Sequence, residues 1–140
     1  MKIEISESAH KTPAFAIIAE GWNEMVQTGL TPDGLGVCPV QRDDTVIYAS
    51  VDSGEVVGVM VIASDWTQPE HVARITLAYV EPSVRKKGVF KALLAAALAY
   101  AKSKGVPKVT ISASPEADVL RLVMRKFDVP IAHVTYELAV

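Results

Sequence analysis

Residues 77–105 read LAYVEPSVRKKGVFKALLAAALAYAKSKG, which predicts the end of a strand, then a short basic loop and then a long alanine-rich helix. A helix that begins after such a loop presents free backbone N–H groups and the positive end of its dipole in one place. Arg85, Lys86 and Lys87 add positive charge, and Gly88 lets the backbone approach a bulky anion closely. The chemistry is that of a binding site for a pyrophosphate group, although it does not name the molecule that carries the group.

The spacing of four residues in this stretch is typical of a known family. Val80, Pro82, Arg85 and Gly88 fall where motif A has them, and the stretch resembles motif A of the GNAT N-acetyltransferase superfamily, Arg/Gln-x-x-Gly-x-Gly/Ala after a strand that ends near Val-x-Pro. One position departs, because Phe90 stands where glycine or alanine is usual. The large side chain of Phe90 must point away from the phosphates, or the binding geometry differs from that of the family.

The resemblance implies acetyl-coenzyme A as co-substrate. In the family, backbone amides at the start of the helix hold the pyrophosphate, which here means residues from about 86 to 91. The pantetheine arm pairs with main-chain groups of the preceding strand. The cofactor-binding residues that the resemblance implies are Ala78, Val80, Arg85, Lys86, Lys87, Gly88, Val89, Phe90 and Lys91.

The proton-transfer groups of the family are not matched at their usual positions. Many members carry a glutamate or histidine base on the fourth strand and a tyrosine acid on the last helix, whereas the corresponding positions here hold Arg74, Thr76 and Leu122. The remaining catalytic candidates are Tyr79 and Glu81. A packed tyrosine and a solvent-facing carboxylate are the alternative interpretations of these two residues, and an acceptor amine of low pKa could lose its proton to water without a dedicated base.

Length and composition predict one folded domain over residues 1–140, since 50% of the residues are hydrophobic and 21% are charged. The formal net charge of −2 gives no reason to expect nucleic acid as a partner, because nucleic-acid-binding domains favour a strongly basic face. The positive cluster at residues 85–87 therefore stands out as a local anion site.

Metal, disulfide and membrane signals are absent from the sequence. Cys38 is the only cysteine, and the three histidines have no metal-binding spacing, so neither a disulfide nor a metal site is expected. No signal-peptide pattern is found, and the longest apolar run, residues 92–101, is much shorter than the roughly 20 residues of a membrane span. We therefore expect a cytoplasmic protein without a membrane partner.

Apolar periodicity and turn residues predict the element order β-α-βββ-α-β-α-β. Phe15, Ile18, Trp22 and Met25 recur at helical spacing, residues 52–55 (DSGE) are typical of a hairpin turn, and the long helix predicts a right-handed crossover to a parallel strand. This order matches the GNAT fold over nearly the whole chain, which implies an α/β (α+β) fold with a mixed, mostly antiparallel central sheet and helices on both faces. The predicted elements are residues 2–6, 13–28, 45–51, 56–63, 71–80, 89–104, 109–112, 115–126 and 129–138.

Two functions are compatible with these features. The first is an acetyl-coenzyme A-dependent N-acetyltransferase that acts on a primary amine of a small molecule or a protein. The second is a non-catalytic module on the same scaffold, which binds coenzyme A or a protein partner without acyl transfer.

The acceptor and the oligomeric state are not specified by the sequence. The resemblance implies that the loop at residues 30–42 helps to shape the acceptor groove, which makes Asp33, Gly34 and Cys38 candidate rim residues, although an ordinary connecting loop is the alternative. The terminal strand at residues 129–138 could pair across a homodimer.

Overall fold

The computed structural model describes residues 1–28, 38, 40–63 and 72–111 of the chain. The helix and strand predicted at residues 115–126 and 129–138 lie outside the described residues. Within the described ranges, no helix is long and apolar enough to cross a membrane. The elements in chain order are β1 (Lys2–Ser6), a 3-10 turn (Ala9–Lys11), α1 (Phe15–Thr28), β2 (Thr45–Ser50), β3 (Val56–Ile62), β4 (Val72–Val80), a second 3-10 turn (Pro82–Val84), α2 (Val89–Ser103) and β5 (Lys108–Ile111).

The five strands form one sheet in the order β1-β2-β3-β4-β5. The first four are antiparallel to their neighbours, and β5 is parallel to β4, as the crossover through α2 requires. The hairpin between β2 and β3 forms at the predicted turn, where Gly54 has a φ of +89° and its N–H donates to the Val51 carbonyl at 2.8 Å. The predicted mixed, mostly antiparallel sheet is confirmed.

The two helices pack on opposite faces of this sheet. Alternate residues of β2 and β3 divide between two apolar clusters, because successive side chains of a strand point to opposite faces. One cluster contains Val46 and Val59 with Ile18 of α1, and the other contains Ile47 and Met60 with α2. Helices on both faces therefore follow from the alternation of apolar residues in fully buried strands.

The buried face of α1 contains the predicted Ile18 and Trp22 but not Phe15. Phe15, which the spacing assigned to the core, is 70% exposed, whereas Ile17, Ile18 and Gly21 are buried. The helix begins at Phe15. Just before it, the Thr12 hydroxyl accepts a hydrogen bond from the Ala14 N–H at 3.2 Å. The face that packs on the sheet also includes Gly21, which a search for large apolar residues overlooks.

The helix α2 sits close to the sheet at its first turns. A Cβ atom added to Gly58 of β3 would lie 2.8 Å from Val89 Cγ1 and 3.0 Å from Leu93 Cδ1. The absence of a side chain at position 58 therefore allows the helix to approach the strand. At the other end, Gly105 has a φ of +73° and ends the helix as predicted.

Candidate functional site

The end of β4 presents main-chain groups along one edge. The Glu81 N–H donates to the Val57 carbonyl of β3 at 2.9 Å. Because alternate residues of a strand direct their peptide groups to opposite edges, Ala78 and Val80 direct theirs away from β3. The ladder with β5 covers this second edge as far as Ile75. Within the described ranges, no strand pairs with the peptide groups of Ala78 and Val80.

A bulge interrupts β4 just before this edge. Val61 pairs with Leu77 and Ile62 pairs with Ile75, so Thr76 is an extra residue in β4. The Thr76 hydroxyl lies 3.5 Å from the Val61 carbonyl that accepts its hydrogen bond. A bulge increases the local twist and bends the strand, so the end of β4 is directed differently from its beginning.

The loop that follows β4 contains two left-handed residues. A 3-10 turn comes first, in which the Arg85 N–H donates to the Pro82 carbonyl at 3.3 Å. Lys86 then has a φ of +66° and Gly88 has a φ of +83°. A left-handed conformation is uncommon for lysine, and left-handed residues in a turn can gather successive N–H groups into a concave anion-binding surface.

The α2 helix begins at this loop without a side-chain cap. Gly88 is the N-cap residue, and no side chain among the described residues caps the helix there. The first helical hydrogen bond joins the Ala92 N–H to the Gly88 carbonyl at 3.0 Å. The amides of the first turn are thus available to a ligand, and the same segment carries three exposed lysines, Lys86, Lys87 and Lys91.

Val89 and Phe90 contribute to the loop through their backbones. The Val89 side chain is buried at 5% exposure, and the half-buried Phe90 ring packs against the apolar cluster between α2 and the sheet. The ring of Phe90 is therefore anchored in the core. Of the two alternatives posed by the departure from motif A, this placement favours the one in which the side chain points away from the phosphate-binding amides.

The Arg85 side chain turns away from the helix start. Its Nε donates to the Val80 carbonyl at 2.8 Å, and its Nη2 forms an ion pair with the Glu24 carboxylate of α1 at 2.9 and 3.2 Å. The guanidinium also lies over the Tyr79 ring, 5.4 Å from the ring centroid. The contacts with Glu24 and Tyr79 are on the α1 face of the sheet, whereas α2 packs on the other face, and the contact with the Val80 carbonyl is at the edge of β4.

Tyr79 is held between α1 and Arg85. Its half-buried side chain packs in the α1 cluster, and a Cβ atom added to Gly21 would lie 2.7 Å from both Cβ and Cγ of Tyr79. Burial, followed by interaction with the Glu24 carboxylate, raises the pKa of Tyr79. The phenol is therefore protonated at neutral pH.

The other proposed proton-transfer positions lie near the same strand. The half-buried Glu81 carboxylate accepts a hydrogen bond from the Ser83 hydroxyl. Arg74 is exposed on β4 and Thr76 is at the bulge, while Leu122 lies outside the described residues. Among the acceptor-rim candidates, Cys38 is half-buried, and Asp33 and Gly34 lie outside the described residues.

A family model described as the acetyltransferase (GNAT) family matches residues 15–125. The chain belongs to the GNAT acetyltransferase family. This membership confirms the resemblance recognised in residues 80–88 and extends it over most of the chain. A comparison with curated proteins finds no match to this GNAT acetyltransferase.

Solved structures similar to this GNAT acetyltransferase confirm the fold. The aminoglycoside N-acetyltransferase AAC(6')-Iy in complex with CoA has 17% identity and a TM-score of 0.66, with 99% of this chain and 98% of that chain covered. A ribosomal-protein-alanine N-acetyltransferase from Brucella melitensis biovar Abortus has 17% identity and a TM-score of 0.70, with both chains covered at 100%. A mutant protein from Bacillus halodurans has 14% identity and a TM-score of 0.75, with 100% and 99% covered.

The sequence did not indicate the part that α1 plays at this site. Glu24 carries no motif and looks like an ordinary solvent-facing charge on a helix. Gly21 offered a signal, because a glycine inside a helix is unfavourable unless close packing requires it. The contact between Gly21 and Tyr79 fits that rule and places α1 beside the end of β4.

Proposed function

We propose that this chain is an acetyl-coenzyme A-dependent N-acetyltransferase that transfers an acetyl group to a primary amine. Membership of the GNAT family supports this function. The observation on which the proposed site depends is the uncapped start of α2, which follows two left-handed residues and lies beside exposed lysines. An anion with the charge and size of a diphosphate suits such a helix start.

The proposed coenzyme site has two parts. The backbone amides of Lys86 to Lys91 would hold the diphosphate, with Lys86, Lys87 and Lys91 supplying positive charge. The edge of β4 at Ala78 and Val80, which no described strand covers, would pair with the pantetheine arm, because both residues direct their peptide groups away from β3; the Val80 carbonyl there also accepts the hydrogen bond from Arg85 Nε.

The acceptor amine must be neutral to attack the thioester carbonyl, and the departing thiolate needs a proton. Tyr79 is the proposed proton donor, because its phenol is protonated at neutral pH; burial and the Glu24 carboxylate raise its pKa, which does not make the phenol a stronger acid. Glu81 is the proposed base, either directly or through water. A position on the proton-transfer path predicts that Tyr79→Phe lowers kcat by about 100-fold or more.

The acceptor is proposed only as a class. Aminoglycoside and ribosomal-protein N-acetyltransferases share this fold, so primary amines of a small molecule and of a protein are both proposed acceptors. The single domain over residues 1–140, the cytoplasmic location and the homodimer through residues 129–138 stay predictions.

The coenzyme site is tested by placing a carboxylate at the start of α2. Gly88→Glu should abolish coenzyme A binding in calorimetry, because the new side chain fills and negatively charges the anion site. Gly54→Glu is a matched control: Gly54 has the same left-handed backbone, with φ +89° against +83° at Gly88, but lies in the β2–β3 hairpin. Equal affinity in the two variants would reject the assignment of the site.

The mismatched base positions favour a second function, a coenzyme-binding module without acyl transfer. Strand β4 carries Arg74 and Thr76 where many family members have a glutamate or histidine. Release of coenzyme A thiol from acetyl-coenzyme A, measured with a broad panel of amines, separates the two functions. Tight coenzyme binding with no release across the panel would support the second function.

A further inference from the structure

The Arg85 side chain joins the coenzyme loop to the opposite face of the sheet. The residue itself lies in the loop before α2, yet its guanidinium contacts Glu24 of α1, the Tyr79 ring and the Val80 carbonyl. The contacts with Glu24 and Tyr79 are on the face of the sheet that α2 does not cover, and the contact with the Val80 carbonyl is at the end of β4. A cation that bound the diphosphate directly would instead point towards the amides at Gly88.

We propose that Arg85 is a positioning residue for the coenzyme and not one of its phosphate ligands. This inference rests on the proposed function. Arg85, with Glu24 and the Val80 carbonyl as its two anchors, ties the loop at residues 85–88 to α1 and to the end of β4. The positive charge that faces the diphosphate then comes from Lys86, Lys87 and Lys91.

The geometry of the guanidinium explains why an arginine suits this role. One nitrogen, Nε, reaches the Val80 carbonyl at 2.8 Å while another, Nη2, reaches both oxygens of the Glu24 carboxylate. A planar group with several fixed donors can bridge two acceptors in this way, and a lysine ammonium on a flexible stem cannot reproduce the same pair of bonds.

The loop needs such support because the residue after Arg85, Lys86, has an unfavourable backbone conformation. Lys86 adopts a φ of +66°, a conformation that persists for a non-glycine residue only where the surroundings impose it. We call the contacts of Arg85 with Glu24 and with the Val80 carbonyl the clamp. If the clamp is lost, a larger share of molecules will have the loop in other conformations. The apparent dissociation constant for the coenzyme rises in proportion to the loss of the competent conformation.

The sign of the effect of Glu24→Gln distinguishes the two roles of Arg85. If Arg85 is a clamp, the variant loosens the loop, and the dissociation constant of coenzyme A in calorimetry increases by about two- to fivefold, as expected for a partly exposed ion pair. If Arg85 is a phosphate ligand, removal of its carboxylate partner frees the guanidinium, and the dissociation constant decreases or stays the same. The second result would overturn the proposal.

Glu20→Gln is the matched control for this substitution. Glu20 lies one turn earlier on α1, and the substitution removes the same charge from the same helix, where the electrostatic effect of Glu20 on Tyr79 is smaller than that of Glu24. We expect the affinity of Glu20→Gln to stay within about twofold of the wild type. An increase equal to that of Glu24→Gln would assign the effect to the general charge of α1 and would overturn the clamp.

Two substitutions of Arg85 complete the test. Arg85→Lys keeps the positive charge but loses the planar guanidinium that bridges two acceptors. If Arg85 is a clamp, the coenzyme affinity of Arg85→Lys should be as weak as that of Arg85→Met. If Arg85 is a phosphate ligand, the affinity should stay near that of the wild type. In a double-mutant cycle, Glu24→Gln should add nothing to Arg85→Met, because the clamp is already broken. Fully additive losses would contradict the proposed link between the two residues.

Hydrogen exchange separates failure of this inference from failure of the proposed function. Without any coenzyme, the amides of the 3-10 turn, including the Arg85 N–H that donates to Pro82, should exchange faster in Glu24→Gln than in Glu20→Gln. If wild-type protein does not bind coenzyme A at about 1 mM, the proposed function fails, while the exchange comparison still decides whether the clamp exists. Equal exchange in the two variants would reject the clamp.

Discussion

Gly58 is the position at which a single methyl group should disturb both the core and the start of α2. An added Cβ would lie 2.8 Å from Val89 Cγ1 and 3.0 Å from Leu93 Cδ1. The leucine atom is the far end of a flexible side chain and can move, but Val89 is β-branched and stiff at χ1. Relief of the clash therefore requires the first turn of α2 to shift.

The expected cost of Gly58→Ala follows from overpacking. Forcing extra volume into a well-packed core costs about 1–3 kcal/mol, which in a chain of this size lowers Tm by about 3–10 °C. Glycine in a strand is otherwise unfavourable, so without the clash the substitution to alanine would stabilise the protein. The sign of the change in Tm thus reports directly on the close approach of α2.

Val89→Ala provides the compensating change, because it removes the methyl group that the new Cβ meets at 2.8 Å. Alone, it should destabilise the core by about 1–2 kcal/mol. The double variant should be destabilised by at least about 1 kcal/mol less than the sum of the two single variants. A difference of that size is a clear coupling energy. The free energy of unfolding is measured by urea denaturation followed by circular dichroism.

The same variants test whether the position of α2 on the sheet affects the affinity for coenzyme A. Gly58→Ala should weaken coenzyme A binding, because the amides at the start of α2 move with its first turn, and the double variant should recover part of the affinity. Strict additivity of the stability changes, or a Gly58→Ala protein as stable as the wild type, would refute the close contact between β3 and α2.

Three further predictions concern the residues around the end of β4. Gly21→Ala should lower Tm, although alanine normally favours a helix, because the new Cβ would lie 2.7 Å from the Tyr79 side chain; a higher Tm would contradict this packing. Lys86→Gly should stabilise the fold by about 1 kcal/mol in urea denaturation, since its φ of +66° suits glycine. Burial, and next Glu24, raises the pKa of Tyr79 above the ordinary value of 10.0, so its contribution to stability is full below that pH and is lost as pH rises through the folded pKa. As the pH rises above 10.0, the free energy of unfolding should fall less in Tyr79→Phe than in the wild type. Identical pH profiles of stability would contradict the raised pKa.

Most of the described fold was predictable because its signals are local. The hairpin at Gly54, the uncapped loop before α2 and the end of that helix at Gly105 depend on glycine conformations that a short stretch of sequence specifies. The antiparallel order β2-β3-β4 follows from short connections, and the parallel pairing of β5 with β4 follows from the long crossover helix. The element boundaries differ from prediction by one or two residues, which is the usual uncertainty at helix and strand ends.

The buried face of α1 could be predicted only in part. Ile18 and Trp22 pack on the sheet as their spacing predicts, yet Phe15 faces outward and Gly21 meets Tyr79. The contact between Gly21 and Tyr79 joins residues far apart in the sequence. Hydrophobic spacing alone assigns large side chains to the core and gives no weight to a glycine that the packing requires.

The role of Arg85 shows the same limit at the candidate site. The motif correctly located the residue in the loop, and its charge suggested contact with a phosphate. The side chain instead contacts Glu24, which is 61 positions earlier in the chain and belongs to no motif. A motif specifies backbone conformation well, because neighbouring residues determine it, but the direction of a long side chain depends on partners that tertiary structure brings near.

Two glycine contacts place both helices at one end of the sheet. Gly58 pairs with Val80 in the β3–β4 ladder and permits the approach of α2, while the preceding residue of β4, Tyr79, contacts Gly21 of α1 on the other face. The loop that begins α2 is therefore fixed relative to α1 through adjacent residues of β4. Since the interior of a protein transmits small displacements, a substitution in α1 at Gly21 should alter the loop at residues 85–88, and a substitution at Gly58 should alter the environment of Tyr79.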